Sequence, residues 1–220
     1  MSGRTRIKVC GITRVADGVA AAHAGADAIG VIFWRGTPRA VDHAQAQEIV
    51  GALPPFVGAV GLFVDPTAAE VHAALAAVAL DWLQFHGSES PAFCRSFGRP
   101  YLKAVAVKEG VDLIECASRY EDAAGVLFDG YRAGDLPGGT GFAFDWSRLS
   151  ADVRRELKAP IVLSGGLDPD NVGRAVREVG PWAVDVSSGV EERGVDGKPR
   201  RGLKDHARIG AFVQAVRSAA

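Results

Sequence analysis

The chain has 220 residues, a formal net charge of −1 and three widely spaced cysteines, enough chain for a sizeable core. Balanced charge with no basic, aromatic-laced run argues against a nucleic-acid partner, and no apolar run approaches the ~20 residues that span a bilayer. The polar N-terminus lacks a signal-peptide core, and an odd cysteine count without CxxC indicates neither a disulfide framework nor a zinc site; the expectation is a cytoplasmic protein with reduced thiols, no metal and no membrane partner.

Eight short apolar runs read as strands, at residues 7–10, 28–33, 57–64, 82–86, 101–105, 125–129, 161–164 and 182–187. Such runs suit strands buried on both faces of a parallel sheet. Gly58 and Gly61 weaken the third. Helix signals fill the gaps. Asp65-Pro66, Ser90-Pro91 and Asp168-Pro169 each pair an N-cap residue with a proline at the first helical position. Val172, Ala175, Val176 and Val179 form a one-sided stripe, repeated by Ile209, Phe212, Val213 and Val216. Gly25 and Gly180 fall where helices end. Eight strand–helix units in this length predict a TIM (β/α)8 barrel, and with no Pro/Ser-rich linker residues 1–220 form a single domain.

In such a barrel the chemistry sits at the C-terminal strand ends. Those ends carry Cys10, Arg35 and Arg39, Asp65, His86, Asp129, Gly165-Gly166, Asp185, and Ser187-Ser188-Gly189. Ser164-Gly165-Gly166-Leu167 and Ser187-Ser188-Gly189-Val190 are turns whose backbone N–H groups can reach an anion, and loops seven and eight of a barrel commonly form a phosphate site. The alternative is that these glycines only make tight turns.

Cys10 is either a small buried hydrophobe or a base. As a base it must lose a proton from a thiol whose free pKa is about 8.5. Cys94 and Cys116 read as packing residues in helices. Asp129 is either a cap or a general acid in a pocket, and as an acid it must keep its proton near neutral pH. Arg39 is a solvated loop residue or a bidentate partner for a carboxylate. His86 is structural or functional; histidines 23, 43, 72 and 206 lack metal-ligand spacing. The glycine-rich Leu136-Pro137-Gly138-Gly139-Thr140-Gly141 reads as a lid and is not a Walker loop.

The chain resembles the phosphoribosylanthranilate isomerases of tryptophan biosynthesis. The resemblance rests on Lys8-Val9-Cys10-Gly11-Ile12-Thr13, Thr37-Pro38-Arg39, Leu83-Gln84-Phe85-His86-Gly87, Phe128-Asp129, Gly138-Gly139-Thr140-Gly141 with Phe144-Asp145-Trp146, Ser164-Gly165-Gly166-Leu167 with Pro169 and Asn171-Val172, and Asp185-Val186-Ser187-Ser188-Gly189-Val190-Glu191, in family order. It implies an Amadori rearrangement of N-(5'-phosphoribosyl)anthranilate without metal or cofactor. Asp129 would be the acid that opens the ring, and Cys10 the base that takes the C2 proton. Arg39 would hold the anthranilate carboxylate, Gly165, Gly166, Ser188 and Gly189 the phosphate, and His86 and Asp185 would be pocket residues. Three departures stand out: Thr37 for the common serine, Gly130 after the acid, and an inserted polar segment, 192–201, expected as a surface excursion. A histidine-pathway isomerase would place a second aspartate where Cys10 stands, and a non-catalytic phosphate-binding barrel would be free to lose Cys10, Asp129 and Arg39. Oligomeric state, monomer or homodimer, is left open.

Overall fold

The structure, a computed structural model, describes residues 4–130 and 144–219. The expected lid, at 136–141, lies outside them. Eight strands pair in chain order into a closed, all-parallel barrel: β1 (Arg6–Cys10), β2 (Ala28–Ile32), β3 (Gly58–Phe63), β4 (Trp82–Phe85), β5 (Tyr101–Val107), β6 (Gly125–Gly130), β7 (Ile161–Leu163) and β8 (Ala183–Val186). Every sequence-predicted strand is present, including β3, where both glycines lie in the strand. A Cβ on Gly61 would come within 2.6 Å of Leu80, so its bareness makes room for a neighbour rather than breaking the strand. Among the described residues no helix is long and apolar enough to cross a membrane.

Helices α1 (Val15–Ala24), α2 (His43–Gly51), α3 (Ala68–Ala77), α4 (Pro91–Arg95), α5 (Leu113–Ser118), α6 (Ala151–Glu156), α7 (Val172–Val179) and α8 (His206–Arg217) cover the outside. The two predicted stripes on α7 and α8 are buried, and Gly25 and Gly180 take the left-handed C-cap conformation. Ser90 caps α4 as expected.

Two expected caps move. Thr67, not Asp65, caps α3, in a reciprocal capping box with Glu70. Asp65 instead has φ 46° and accepts a hydrogen bond from Ser88 N. Asp168 forms a turn, its carboxylate accepting from the N–H groups of Asp170 and Asn171, and α7 begins only at Val172.

Apolar side chains between sheet and helices form one large cluster. Two smaller ones lie apart from it. Cys10, Ile32 and Leu62 form the first, on the β1–β3 side; Ala104, Leu127 and Val162 form the second, on the β5–β7 side. Strand alternation assigns both to the barrel interior.

The segment after β8 is not merely an excursion. It forms an antiparallel hairpin, β9 (Glu191–Arg193) and β10 (Pro199–Lys204). Its tip, at Val195, is fully exposed, but its base is buried at Glu191, Gly202 and Lys204. Lys204 N donates to the buried Asp17 of α1, so the returning strand is pinned to the barrel.

Candidate active site

One cavity opens at the C-terminal end of the barrel, and polar and apolar side chains converge on it as they do at small-molecule sites. Cys10, Arg39, His86, Asp129, Gly165, Gly166, Asp185 and Ser188 all line it. Eight of the nine proposed site residues therefore share its wall. Gly189, the ninth, is buried directly beside Ser188. Arg35 and Asp65 are exposed and lie outside the lining.

Cys10 ends β1 inside the barrel. Gly30 is its register partner on β2, and a Cβ there would come within 2.8 Å of the Cys10 sulfur and 3.3 Å of Lys8 Cε. Only a glycine leaves room for both side chains. Burial pushes the Cys10 thiol pKa up; the Lys8 ammonium pulls against this, Asp185 adds to it, and the net direction is upward. Lys8 is buried too. Burial disfavours its charge, but Asp185 and Cys10 outweigh that and keep the ammonium charged. Its Nζ donates to Asp185 Oδ1 at 2.9 Å.

Asp129 and His86 meet across the mouths of β6 and β4, with His86 Nε2 3.2 Å from Asp129 Oδ2. The other ring nitrogen lies 3.1 Å from Gln84 Nε2. The loop carrying His86 is fixed from behind. Glu89 accepts from the N–H groups of Asp65 and Gly87, and Lys103 Nζ donates to Glu89 and to the carbonyls of Phe85 and Gly87.

Arg39, only 4% exposed, makes a two-pronged bond to Glu191: Nε to Oε1 at 2.7 Å and Nη2 to Oε2 at 2.9 Å. Gly202 N and Lys204 Nζ also reach Glu191 Oε1. Burial works against the Glu191 charge, but Arg39, Lys204 and the Gly202 amide prevail and hold its carboxyl below the usual range. Burial brings Lys204 down to about 8, with Glu191 opposing.

Next to Asp129, Gly165 and Gly166 have φ of 84° and 62°, a region that favours glycine. Their N–H groups have no hydrogen-bond partner among the described residues. Ser188–Val190 form a short 3-10 turn, and Arg208 clamps it by donating twice to the Gly189 carbonyl. Backbone donors of this kind form an anion cradle.

Sequence reasoning missed Lys8, Gln84, Glu191 and Lys204. For two of them a signal existed. Lys8 and Gln84 each lie two residues before a proposed site residue, hence on the same side of the strand.

A family model described as N-(5'-phosphoribosyl)anthranilate isomerase matches residues 7–215. The N-(5'-phosphoribosyl)anthranilate isomerase of Alcanivorax borkumensis is 54% identical over 213 residues, covering 97% of this chain and 95% of its own. The crystal structure of phosphoribosyl anthranilate isomerase from Thermotoga maritima aligns with a TM-score of 0.85 at 34% identity, covering 97% of this chain and 99% of its own. A phosphoribosyl anthranilate isomerase in complex with reduced 1-(o-carboxyphenylamino)-1-deoxyribulose 5-phosphate aligns at 0.83 and 34%, with the same coverage. With barrel, cavity and near-complete likeness in agreement, the chain belongs to the N-(5'-phosphoribosyl)anthranilate isomerase family.

Proposed function

We propose that the cavity rearranges N-(5'-phosphoribosyl)anthranilate to 1-(2-carboxyphenylamino)-1-deoxyribulose 5-phosphate, the isomerase step of tryptophan biosynthesis, with Asp129 as acid and Cys10 as base. The observation that carries this reading is the joint placement of a thiol from β1 and a carboxyl from β6 on one cavity that the glycine-bearing turns after β7 and β8 also line.

Asp129 gives a proton to the furanose oxygen, the C1–O bond breaks, and the anilino nitrogen's lone pair closes a C1=N iminium. Cys10 removes the C2 proton. The electrons of that C–H bond form C1=C2, and the C=N pair returns to nitrogen. The resulting enol loses its hydroxyl proton and gains one at C1, giving the ketone. The iminium is the electron sink, so the sequence needs no metal or organic cofactor. Its positive charge also favours the thiolate beside it, adding to Lys8 against the cost of burial.

Gly165, Gly166, Ser188 and Gly189 hold the phosphate through backbone N–H groups. Arg39 receives the anthranilate carboxylate while Glu191, bonded to its Nε and Nη2, fixes the plane of the guanidinium. Asp185 lines the cavity and works through Lys8, and His86 works through Asp129. All these groups come from one chain, so the reading serves a monomer or a homodimer.

Fluorescence-monitored turnover of freshly generated phosphoribosylanthranilate tests it. Wild type converts the substrate, and Asp129→Asn loses about 10²- to 10⁴-fold in kcat, the usual weight of acid–base catalysis. Undiminished turnover by Asp129→Asn would remove Asp129 from the acid role.

A further inference from the structure

Beyond the pair assigned to acid and base, a buried side chain lies within reach of the acid's partner. Gln84, on β4, is fully buried and lines the cavity. Its Nε2 is 3.1 Å from His86 Nδ1, and His86 Nε2 is 3.2 Å from Asp129 Oδ2. Its Oε1 has no partner among the described residues. The amide's orientation is therefore decided at the His86 end.

A neutral imidazole has one N–H and one bare nitrogen. With Gln84 Nε2–H donating, Nδ1 must be bare, Nε2 carries the hydrogen, and it donates to an Asp129 carboxylate: the acid is empty. Turning the amide by 180° presents Oε1 instead. Nδ1 must then carry the hydrogen, and bare Nε2 accepts from the Asp129 carboxyl: the acid is loaded. The two arrangements differ by one proton, exchanged with solvent. They occupy nearly the same space, because an amide oxygen and an amide nitrogen are close in size.

We propose that Gln84 is a positioning residue for the acid step: the orientation of its amide selects which His86 nitrogen bears the hydrogen, and so whether Asp129 is loaded. This rests on the acid role of Asp129. Among the described residues, the charged and titratable groups around the pair are Cys10, Arg39 and Asp185 on the cavity wall, Lys8, Glu191 and Lys204 behind it, and Asp65, Glu89 and Lys103 about the His86 loop.

Two variants and one spectrum test the proposal. Gln84→Met fills the space without donor or acceptor, and kcat falls about tenfold or more with little change in KM, within the range of acid–base effects. Gln84→Glu only accepts when ionised, favours the loaded arrangement, and moves the alkaline limb of the kcat profile to higher pH. Should Gln84→Glu fail to fold, 15N spectra of the wild-type imidazole decide: in the active range His86 Nδ1 is protonated and Nε2 is bare, and along the alkaline limb the hydrogen moves to Nε2. Wild-type kcat and pH profile in Gln84→Met, or a bare Nδ1 throughout the active range, would overturn the proposal. The spectrum does not depend on which group is the acid, so turnover surviving in Asp129→Asn marks failure of the underlying reading instead.

Discussion

Cys10 carries its proposed role where burial opposes its charge, and the Lys8 ammonium provides the opposing pull. Three outcomes follow at this scale. Cys10→Ser drops kcat by at least about a hundredfold while product-analogue binding persists; calorimetry beside turnover separates the two, and wild-type turnover would remove Cys10 from the mechanism. Lys8→Met takes away the cation that lowers the thiol pKa, so alkylation of Cys10 by iodoacetamide shifts to higher pH. Arg39→Lys keeps a charge but loses the planar fork. Its loss of affinity is much greater for analogues bearing the anthranilate carboxylate than for those without it, by titration of both; equal losses would make Arg39 a clamp for Glu191 alone. Cys10, Asp129 and the glycine turns were legible because each breaks an apolar run with a residue that the run does not need. Lys8 and Gln84 sit inside strands, where only the two-residue spacing to Cys10 and His86 marks the face they share. Glu191 and Lys204 stand thirteen positions apart, and only the hairpin brings them together on Arg39.

The hairpin of β9 and β10 is the element whose energetics depend most plainly on pH. Glu191 is fully buried between Arg39 and Lys204, and its carboxyl pKa is lower folded than unfolded. Its contribution is therefore complete above the unfolded carboxyl value and is lost as pH falls through the lower, folded one. Glu191→Gln leaves two buried cations without their carboxylate and costs about 3–5 kcal/mol at neutral pH. Urea unfolding at stepped pH measures this, with the gap to wild type closing in acid. Lys204 acts in the same direction, in a more alkaline window. Its folded pKa, about 8, lies below the unfolded value of 10.5, so burying it costs most below pH 8, and that cost is relieved as pH rises towards 10.5. At the scale of elements the sequence was most readable where apolar spacing decides the outcome, as on α7 and α8. It misled at α3 and α7, where an Asp-Pro pair resembles a helix start. At α3 the competing capping box of Thr67 and Glu70 was present in the letters; at α7 the Asp168 carboxylate is spent on a turn that delays the helix.

Across the molecule, the barrel interior is divided by side into two small apolar clusters. The interior cluster of Ala104, Leu127 and Val162 lies apart from the cluster that contains Cys10. Leu127 is fully buried, and Leu127→Ala costs about 2–5 kcal/mol by denaturant unfolding. At a temperature where the variant stays folded, kcat per folded molecule changes far less than in Cys10→Ser. A loss of kcat matching that of Cys10→Ser would mean that the two clusters are coupled. The eight-strand count was legible because short apolar runs recur with helix signals between them. The interior division was not, since it depends on which strands face each other across a closed ring.

The same hairpin that seats Glu191 leaves its tip clear of the protein. Val195 is fully exposed, and the turn closes on itself through Gly194 N–Lys198 O and Gly197 N–Gly194 O bonds of 2.9 Å. Such a tip tolerates added sequence, because the groups that matter are at its root. An epitope or fluorophore-binding peptide spliced after Val195 would ride outside the barrel as a display handle, giving a labelled enzyme whose reporter is tethered to the wall of its own active site.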